Sequence, residues 1–229
     1  MNDLNLKLAA AKGILFDLDN TLYSGEKGVF QRINERINDF VREFTECEGE
    51  KVDALRKDYK ERYGTTLGGL MRHHSVDPDQ YLEYVHDVPV HEILNPDAAL
   101  TAFLSSISLP MAIFTNGSSR HARRVLDALR VAPYFDGICD LADTDYIGKP
   151  HREAFDYAAG LLGIGLNEAI FVDDLPVNVE AGSEFCSFAI HVGPGEDGVG
   201  DLHVENVLDL EPVFSQMPWY RRKIDAETR

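Results

Sequence analysis

Four short apolar runs constrain this chain more than any other feature: GILFD at 13–17, MAIFT at 111–115, AIFVD at 169–173 and SFAIHV at 187–192. They are near-continuous rather than alternating, so both faces of each strand must be covered, which is the pattern of parallel strands between two layers of helices. The intervals carry helical spacing: Ala122, Val125, Leu126 and Leu129 form one stripe, and Ala154, Phe155, Ala158, Leu161 and Leu162 another. Strand and helix alternate from about residue 111 onward, which predicts an α/β fold built on a doubly wound, Rossmann-like parallel sheet.

Residues 24–95 break that rhythm. Phe30, Ile33, Ile37, Phe40, Val41 and Phe44 recur at helical spacing, Val52, Leu55, Tyr59 and Tyr63 continue it, and no strand pattern interrupts. The expected organisation is therefore a core domain of residues 1–23 and 96–229, with an all-helical module of residues 24–95 inserted after the first strand. The module closes near Asn95–Pro96, a favourable entry into the next helix.

Composition excludes several classes. Lys and Arg number 22 against 39 Asp and Glu, a formal charge of −17 that repels nucleic-acid backbones and anionic membranes. No apolar run approaches the roughly 20 residues needed to span a bilayer. The start, MNDLNLKLAAAKG, does not read as a secretion signal, and Cys47, Cys139 and Cys186 are odd in number and scattered, as reduced thiols are. The expectation is a cytoplasmic protein, monomer or homodimer, that any phosphate-bearing ligand must approach through a metal or a few placed cations.

Ligands of open parallel sheets bind beyond the carboxyl ends of the strands. There the first run delivers Asp17 and Asp19 in DLDNT, the second Thr115 and Asn116 in FTNGS, and the third the adjacent Asp173 and Asp174 in FVDDLPVN. Lys149, in GKP, precedes a helix expected from about His151. Four converging carboxylates cannot all stay ionised without compensation. A magnesium ion, hard and oxygen-seeking, would supply it. Lys149, Thr115 and turn N–H groups can hold phosphate oxygens. One carboxylate is then free to attack phosphorus while a second moves the proton. A DxD turn alone is often only a local cap, and Asp173–Asp174 could cap a helix ahead of Pro176; it is the ordered set that argues for chemistry.

DLDNT at 17–21, TNGS at 115–118, Lys149 and the acidic pair at 173–174 resemble the four motifs of the haloacid dehalogenase superfamily, in the same order and across the whole chain. The resemblance implies that Asp17 is a nucleophile forming an aspartyl-phosphate and Asp19 the general acid and base. It implies that Thr115, Asn116 and Lys149 bind the transferring phosphoryl group. Asp17, the backbone carbonyl of Asp19 and Asp174 would hold magnesium, with Asp173 in the outer shell or close to Lys149. The helical insertion corresponds to a C1-type cap. An acid two residues after the nucleophile protonates an alkoxide, which halide does not need, so phosphate-ester hydrolysis is expected over dehalogenation. FDLDNTLY, YGTTLGGL at 63–70, FTNGS and FVDDLPVNV resemble more narrowly the pyrimidine 5′-nucleotidase branch, which acts on UMP and CMP. The alternatives are a sugar-phosphate phosphatase or phosphomutase on the same motifs and, more remotely, a receiver-like signalling module, whose acidic pair would come early in the chain.

Other signals have plainer readings. GPGEDG at 193–198 matches a dinucleotide fingerprint in form, but its acids would repel pyrophosphate and a surface loop is expected. His73, His74, His86 and His91 lack a metal-ligand spacing. Arg120, Arg123 and Arg124 suit a solvated helix face. Tyr63, Thr66, Gly69 and Leu70 are the candidates for contact with a base, against the plainer reading of apolar packing and turns. The tail after Pro218 is expected to fray.

Overall fold

The computed structural model describes residues 3–194 and 198–221. Its strands are β1 (Gly13–Phe16), β2 (Met111–Phe114), β3 (Gly137–Cys139), β4 (Ala169–Asp173), β5 (Phe188–Val192) and β6 (Leu202–Val204). They form one sheet in the order β3-β2-β1-β4-β5-β6, every pairing parallel. β1 lies at the centre, with Ile14 beside Met111 on one flank and Ile170 on the other.

The pleat explains why these strands read as continuous apolar runs. Ile14, Phe16, Ile113, Ile170, Val172 and Ile190 belong to one buried cluster, whereas Leu15, Ala112, Phe114, Ala169 and Phe171 belong to another. Alternate residues thus enter opposite layers, and neither face is left to water. The second layer is thin, with Ala154, Phe155 and Ala158 packed on the sheet, and Phe155 meets Phe114 and Phe171 edge-on at 5.0 and 4.8 Å. The sequence pattern missed β3 and β6, which are edge strands of three residues, mostly half-exposed and too short to leave a pattern.

The helices are α1 (Asp3–Ala9), α2 (Val29–Thr45), α3 (Glu50–Tyr63), α4 (Thr66–His74), α5 (Pro78–Val85), α6 (Val90–Ile93), α7 (Ala98–Ser106), α8 (Ser119–Leu129), α9 (Arg152–Leu161), α10 (Pro176–Phe185) and α11 (Glu211–Phe214). Helices α2 to α6 all lie between β1 and β2; a separate apolar cluster of Phe40, Val41, Val52, Tyr59, Leu67, Leu70 and Leu82 packs among α2 to α5, while Val90 of α6 joins the core of the sheet. Local chemistry sets their ends. Thr65 accepts from Gly68 N–H, and Asp77 accepts from Gln80 N–H just before Pro78. The cap of α7 is Asp97, one residue beyond the Asn95–Pro96 signal; its carboxylate accepts from Ala99 and Leu100 N–H, both at 2.9 Å.

The expected fraying after Pro218 does not hold for the next two residues. Trp219 and Tyr220 are buried, Trp219 Nε1 donates to Leu8 O at 2.9 Å, and Tyr220 bridges Ile107. An indole needs an apolar bed and one acceptor; Phe214 of α11 meets the ring edge-on at 4.9 Å, and Leu8 of α1 supplies the acceptor. Residues 222–229, and 195–197 of the GPGEDG stretch, lie outside the described residues. Among the described residues no helix is long and apolar enough to cross a membrane.

Candidate active site

The carboxyl ends of β1, β2 and β4 converge on one group of charged side chains. Asp17 follows β1 directly, its N–H tied to Val172 O at 2.8 Å. Lys149 arrives from the turn before α9, is 1% exposed, and spends its three donors on Asp17 Oδ1 (2.6 Å), Asp173 Oδ2 (2.6 Å) and Phe114 O (2.7 Å). Thr21 Oγ1 donates to the other oxygen of Asp17 at 3.1 Å. Asp173 accepts in addition from Leu175 N–H at 2.9 Å and from the Asn178 amide at 3.0 and 3.2 Å. Asp174 is bonded more sparsely, by the Asn20 amide at 3.3 Å.

One carboxylate oxygen from each of Asp17, Asp173 and Asp174 falls within 4.8 Å of the others. Three carboxylates face one ammonium, so negative charge is in excess. Burial, followed by repulsion from Asp173 and Asp174, lifts the Asp17 carboxyl well above its usual range even against Lys149. Burial and Asp173 push Asp174 up to about 7. Burial alone would lower Lys149, but Asp17 and Asp173 outweigh it and hold the ammonium above its ordinary value. An all-oxygen donor set with surplus negative charge is what a hard dication requires, and magnesium fits the residues present.

The turn that carries Lys149 is fixed by Asn116. The Asn116 amide donates to Lys149 O at 2.9 Å and accepts from Lys149 N–H at 2.8 Å, so both ends of that side chain serve the turn. A Cβ on Gly148 would lie 2.3 Å from the same amide oxygen, so only glycine lets the two loops approach. Thr115 Oγ1 accepts from Gly117 N–H at 2.9 Å and keeps its own proton for another acceptor.

Asp19 is buried within a separate set of donors. His121 Nε2 stands 2.9 and 3.1 Å from its two oxygens, and the Tyr23 hydroxyl donates to Oδ1. Burial works against ionisation here, but His121 and Tyr23 prevail and the carboxyl lies below its ordinary value. His121 and Tyr23 were not singled out from the sequence. His121 belongs to an amphipathic helix whose Ala122 and Val125 stripe accounts for its neighbours, although its position three residues after Ser118 at a helix start aims it back toward the strand ends.

A cavity of about 590 Å3 opens over both groups. From the sheet side it is lined by Asp17, Asp19, Thr115, Asn116, Lys149 and Asp174, and from the inserted helices by Ile33, Ile37, Leu67, Tyr81, Leu82 and Val85, with Arg56 among them. Of the four residues expected to meet a base, Thr66 lines it. Tyr63 is turned aside, its hydroxyl 2.7 Å from His73 Nε2, and Leu70 is wholly inside the helical cluster. Gly69 is where α4 lies on α3: a Cβ there would fall 2.0 Å from Tyr59 Cγ. Helix packing, not ligand contact, explains Tyr63, Gly69 and Leu70. Arg56, 8% exposed, bonds Asn34 and Asn38 and reaches the cavity unheralded by any motif.

With this geometry in place, the comparisons decide the family. The family model of the haloacid dehalogenase-like hydrolases matches residues 11–185, which includes the ends of β1, β2 and β4 that carry the site. The chain belongs to this hydrolase family. Among curated proteins, a haloacid dehalogenase-like chain of this kind is similar to "Phosphate metabolism protein 8" of Saccharomyces cerevisiae, 28% identical over 187 residues, covering 75% of this chain and 58% of the yeast protein. The match thus spans little more than half of that relative's length. "Glyceraldehyde 3-phosphate phosphatase" of Methanocaldococcus jannaschii is 24% identical over 90% of this chain and 98% of its own. Among solved structures, L-2-haloacid dehalogenase from Xanthobacter autotrophicus superposes with a TM-score of 0.59 at 16% identity, over 90% of this chain and 99% of that one. The β-phosphoglucomutase of Clostridium difficile gives 0.58 at 20% identity, over 90% and 96%. These structural likenesses establish the shared fold.

Proposed function

We propose that this hydrolase is a magnesium-dependent phosphomonoesterase working through an aspartyl-phosphate on Asp17, with pyrimidine nucleoside 5′-monophosphates as its substrates. The observation that carries the reading is the convergence of Asp17, Lys149 and Asp174 on one cavity beside Asp19. Asp17 and Asp174 would hold the dication, because Lys149, Asn178 and a backbone N–H already occupy Asp173. When bound, magnesium offsets the charge of the phosphoryl oxygens and orients them.

The protein's own groups supply the rest. Thr115 Oγ1 and backbone N–H groups of the 115–118 turn hold phosphoryl oxygens, while Lys149, its three donors committed to Asp17, Asp173 and Phe114 O, lends its positive charge to them. An Asp17 oxygen bonds to phosphorus as the ester P–O bond breaks, and Asp19 gives its proton to the departing oxygen. Asp19 then takes a proton from water as that water attacks phosphorus, releasing phosphate and restoring both aspartates. The inserted helices would act as a cap of residues 24–95, excluding water and selecting the leaving group.

A cavity of about 590 Å3 walled by Ile33, Leu67, Tyr81 and Leu82 suits a leaving group with a flat, weakly polar face better than a three-carbon sugar phosphate. The Methanocaldococcus relative supports a second reading, a sugar-phosphate phosphatase. A panel of UMP, CMP, purine nucleotides, glyceraldehyde 3-phosphate and hexose phosphates, assayed with magnesium and with EDTA, tests both. Preference for UMP or CMP, abolished by EDTA, is expected. A sugar phosphate as the best substrate overturns the nucleotide assignment, and release undiminished by EDTA overturns the magnesium site.

A further inference from the structure

We infer that His121 is a positioning residue for Asp19, aiming one particular carboxylate oxygen at the leaving group, and that His86, from the inserted helices, seats His121. The inference rests on the general-acid role proposed for Asp19, and goes beyond it by naming what holds that group in place.

Proton transfer to a leaving oxygen depends on geometry before anything else. The two oxygens of Asp19 are bonded unequally. Oδ1 receives the Tyr23 hydroxyl and lies 2.9 Å from His121 Nε2, whereas Oδ2 meets only the longer side of the His121 fork at 3.1 Å. Oδ1 is therefore the anchored oxygen, and Oδ2 keeps the lone pairs with which to exchange a proton with substrate.

His121 is 0% exposed, and among the described residues its buried Nδ1 has no hydrogen-bond partner. A histidine retained for packing alone would be expected to satisfy both ring nitrogens, since a buried unmade hydrogen bond costs about 1–3 kcal/mol. The ring instead spends its polar contacts on Asp19. Its plane is fixed from the other side by His86, whose ring stacks on it at 4.6 Å with a 17° tilt. His86 is clamped in turn. Its Nδ1 donates to Leu82 O at 2.9 Å, its carbonyl accepts from Arg124 NH2, and a Cβ on Gly117 would meet its Nε2 at 3.2 Å. Burial, then the neighbouring His121, pushes the His86 imidazole down to about 3, so the stacking ring is neutral. The chain of contact runs from the His86 ring at the end of α5, across its stack on the His121 ring at the start of α8, to the carboxylate that β1 delivers.

The test is a leaving-group comparison on the full-length enzyme with magnesium. An alkyl phosphate needs its departing oxygen protonated; p-nitrophenyl phosphate does not. His121→Asn withdraws the donor from the Nε2 position, and His121→Gln returns an amide N–H close to it. Circular dichroism checks that each is folded. The expected result is a fall of about 100-fold in kcat on the alkyl ester for His121→Asn, as misplacement of a catalytic group by about 1 Å produces. The loss on p-nitrophenyl phosphate should be at least tenfold smaller, with KM little changed and His121→Gln recovering most of the alkyl rate. Equal losses on both esters, or a loss carried by KM, would overturn the inference. Asp19→Asn, run alongside, separates the two readings. If Asp19→Asn shows the leaving-group dependence and His121→Asn does not, positioning by His121 is refuted while the general acid survives. If Asp19→Asn shows none, the general-acid reading has failed first.

Discussion

The two halves of the cavity are built on opposite principles. On the sheet side almost every polar atom has a designated partner: Lys149 makes three bonds of 2.6–2.7 Å, and Asp173 is held from three directions. On the side of the inserted helices the wall is mainly aliphatic and aromatic, with Arg56 held by asparagine oxygens and, among the described residues, paired with no carboxylate. The first arrangement places charge with precision and leaves a negative surplus. The second offers shape and an apolar bed, with Arg56, Lys60 and Glu61 as its charged side chains. Under the proposed function the first half carries the reaction and the second the selection of substrate, and each half should respond to substitution in its own way.

The largest difference should be in turnover. Asp17→Asn is expected to lower kcat by more than roughly a thousandfold while circular dichroism shows the fold retained, because the proposed covalent route requires an ionised oxygen there. Substitutions on the helical wall should instead move the ranking of substrates. Wild-type turnover in Asp17→Asn would dissolve the distinction between the two halves.

Stability should follow the same division. Lys149→Met removes the one ammonium among three buried carboxylates and is expected to cost about 3–5 kcal/mol near pH 7, read from urea midpoints. Gly69→Ala disturbs only the contact of α4 with Tyr59, where overpacking costs about 1–3 kcal/mol, and should leave the kinetics on small esters unchanged. If Gly69→Ala proved the more destabilising of the two, the charged half would be less tightly interlocked than its distances indicate.

A smaller effect arises where the halves meet. His86 is neutral in the folded protein, with its pKa near 3, while an unfolded histidine titrates near ~6.5. The unfolded chain therefore takes up a proton that the folded chain refuses. This contribution is intact above pH ~6.5 and is lost as the pH falls toward 3, at about 1.4 kcal/mol per pH unit. Urea midpoints from pH 7 to pH 4.5 should fall less steeply in His86→Phe, which keeps a stacking ring without the titration. Identical slopes would mean that the buried imidazole is hydrated.

Much of the molecule was legible in advance, for reasons that particular residues make plain. The central strands are covered on both faces, so Ile14, Leu15 and Phe16 are apolar in succession and the run betrays itself. The polar residues that follow these runs stand out by contrast, which is why Asp17, Thr115 and Asp173 could be placed at strand ends from spacing alone. The rest was hidden by ordinary physics. β3 and β6 are edge strands with too few residues to show a period, and Trp219 is bound by one hydrogen bond to a helix 211 residues away. His121 occupies a helix whose apolar stripe already explains its neighbours, and it is distinguished only by which nitrogen meets which oxygen. In the inserted helices, Tyr63, Gly69 and Leu70 resemble a ligand-binding stretch but are required by the packing of α3 on α4, and no local pattern distinguishes the two demands.

The claim beneath all of this is that Asp17, Asp173 and Asp174 carry more negative charge than Lys149 can neutralise and so call for a divalent cation. Thermal melting of the parent protein and of Asp174→Asn across a magnesium titration addresses it directly. A ligand at one hundred times its dissociation constant adds about 2.7 kcal/mol to the folded state. The melting temperature of the parent should therefore climb with magnesium, and that of Asp174→Asn should stay nearly flat. No rise in the parent, or an equal rise in both proteins, would contradict the account.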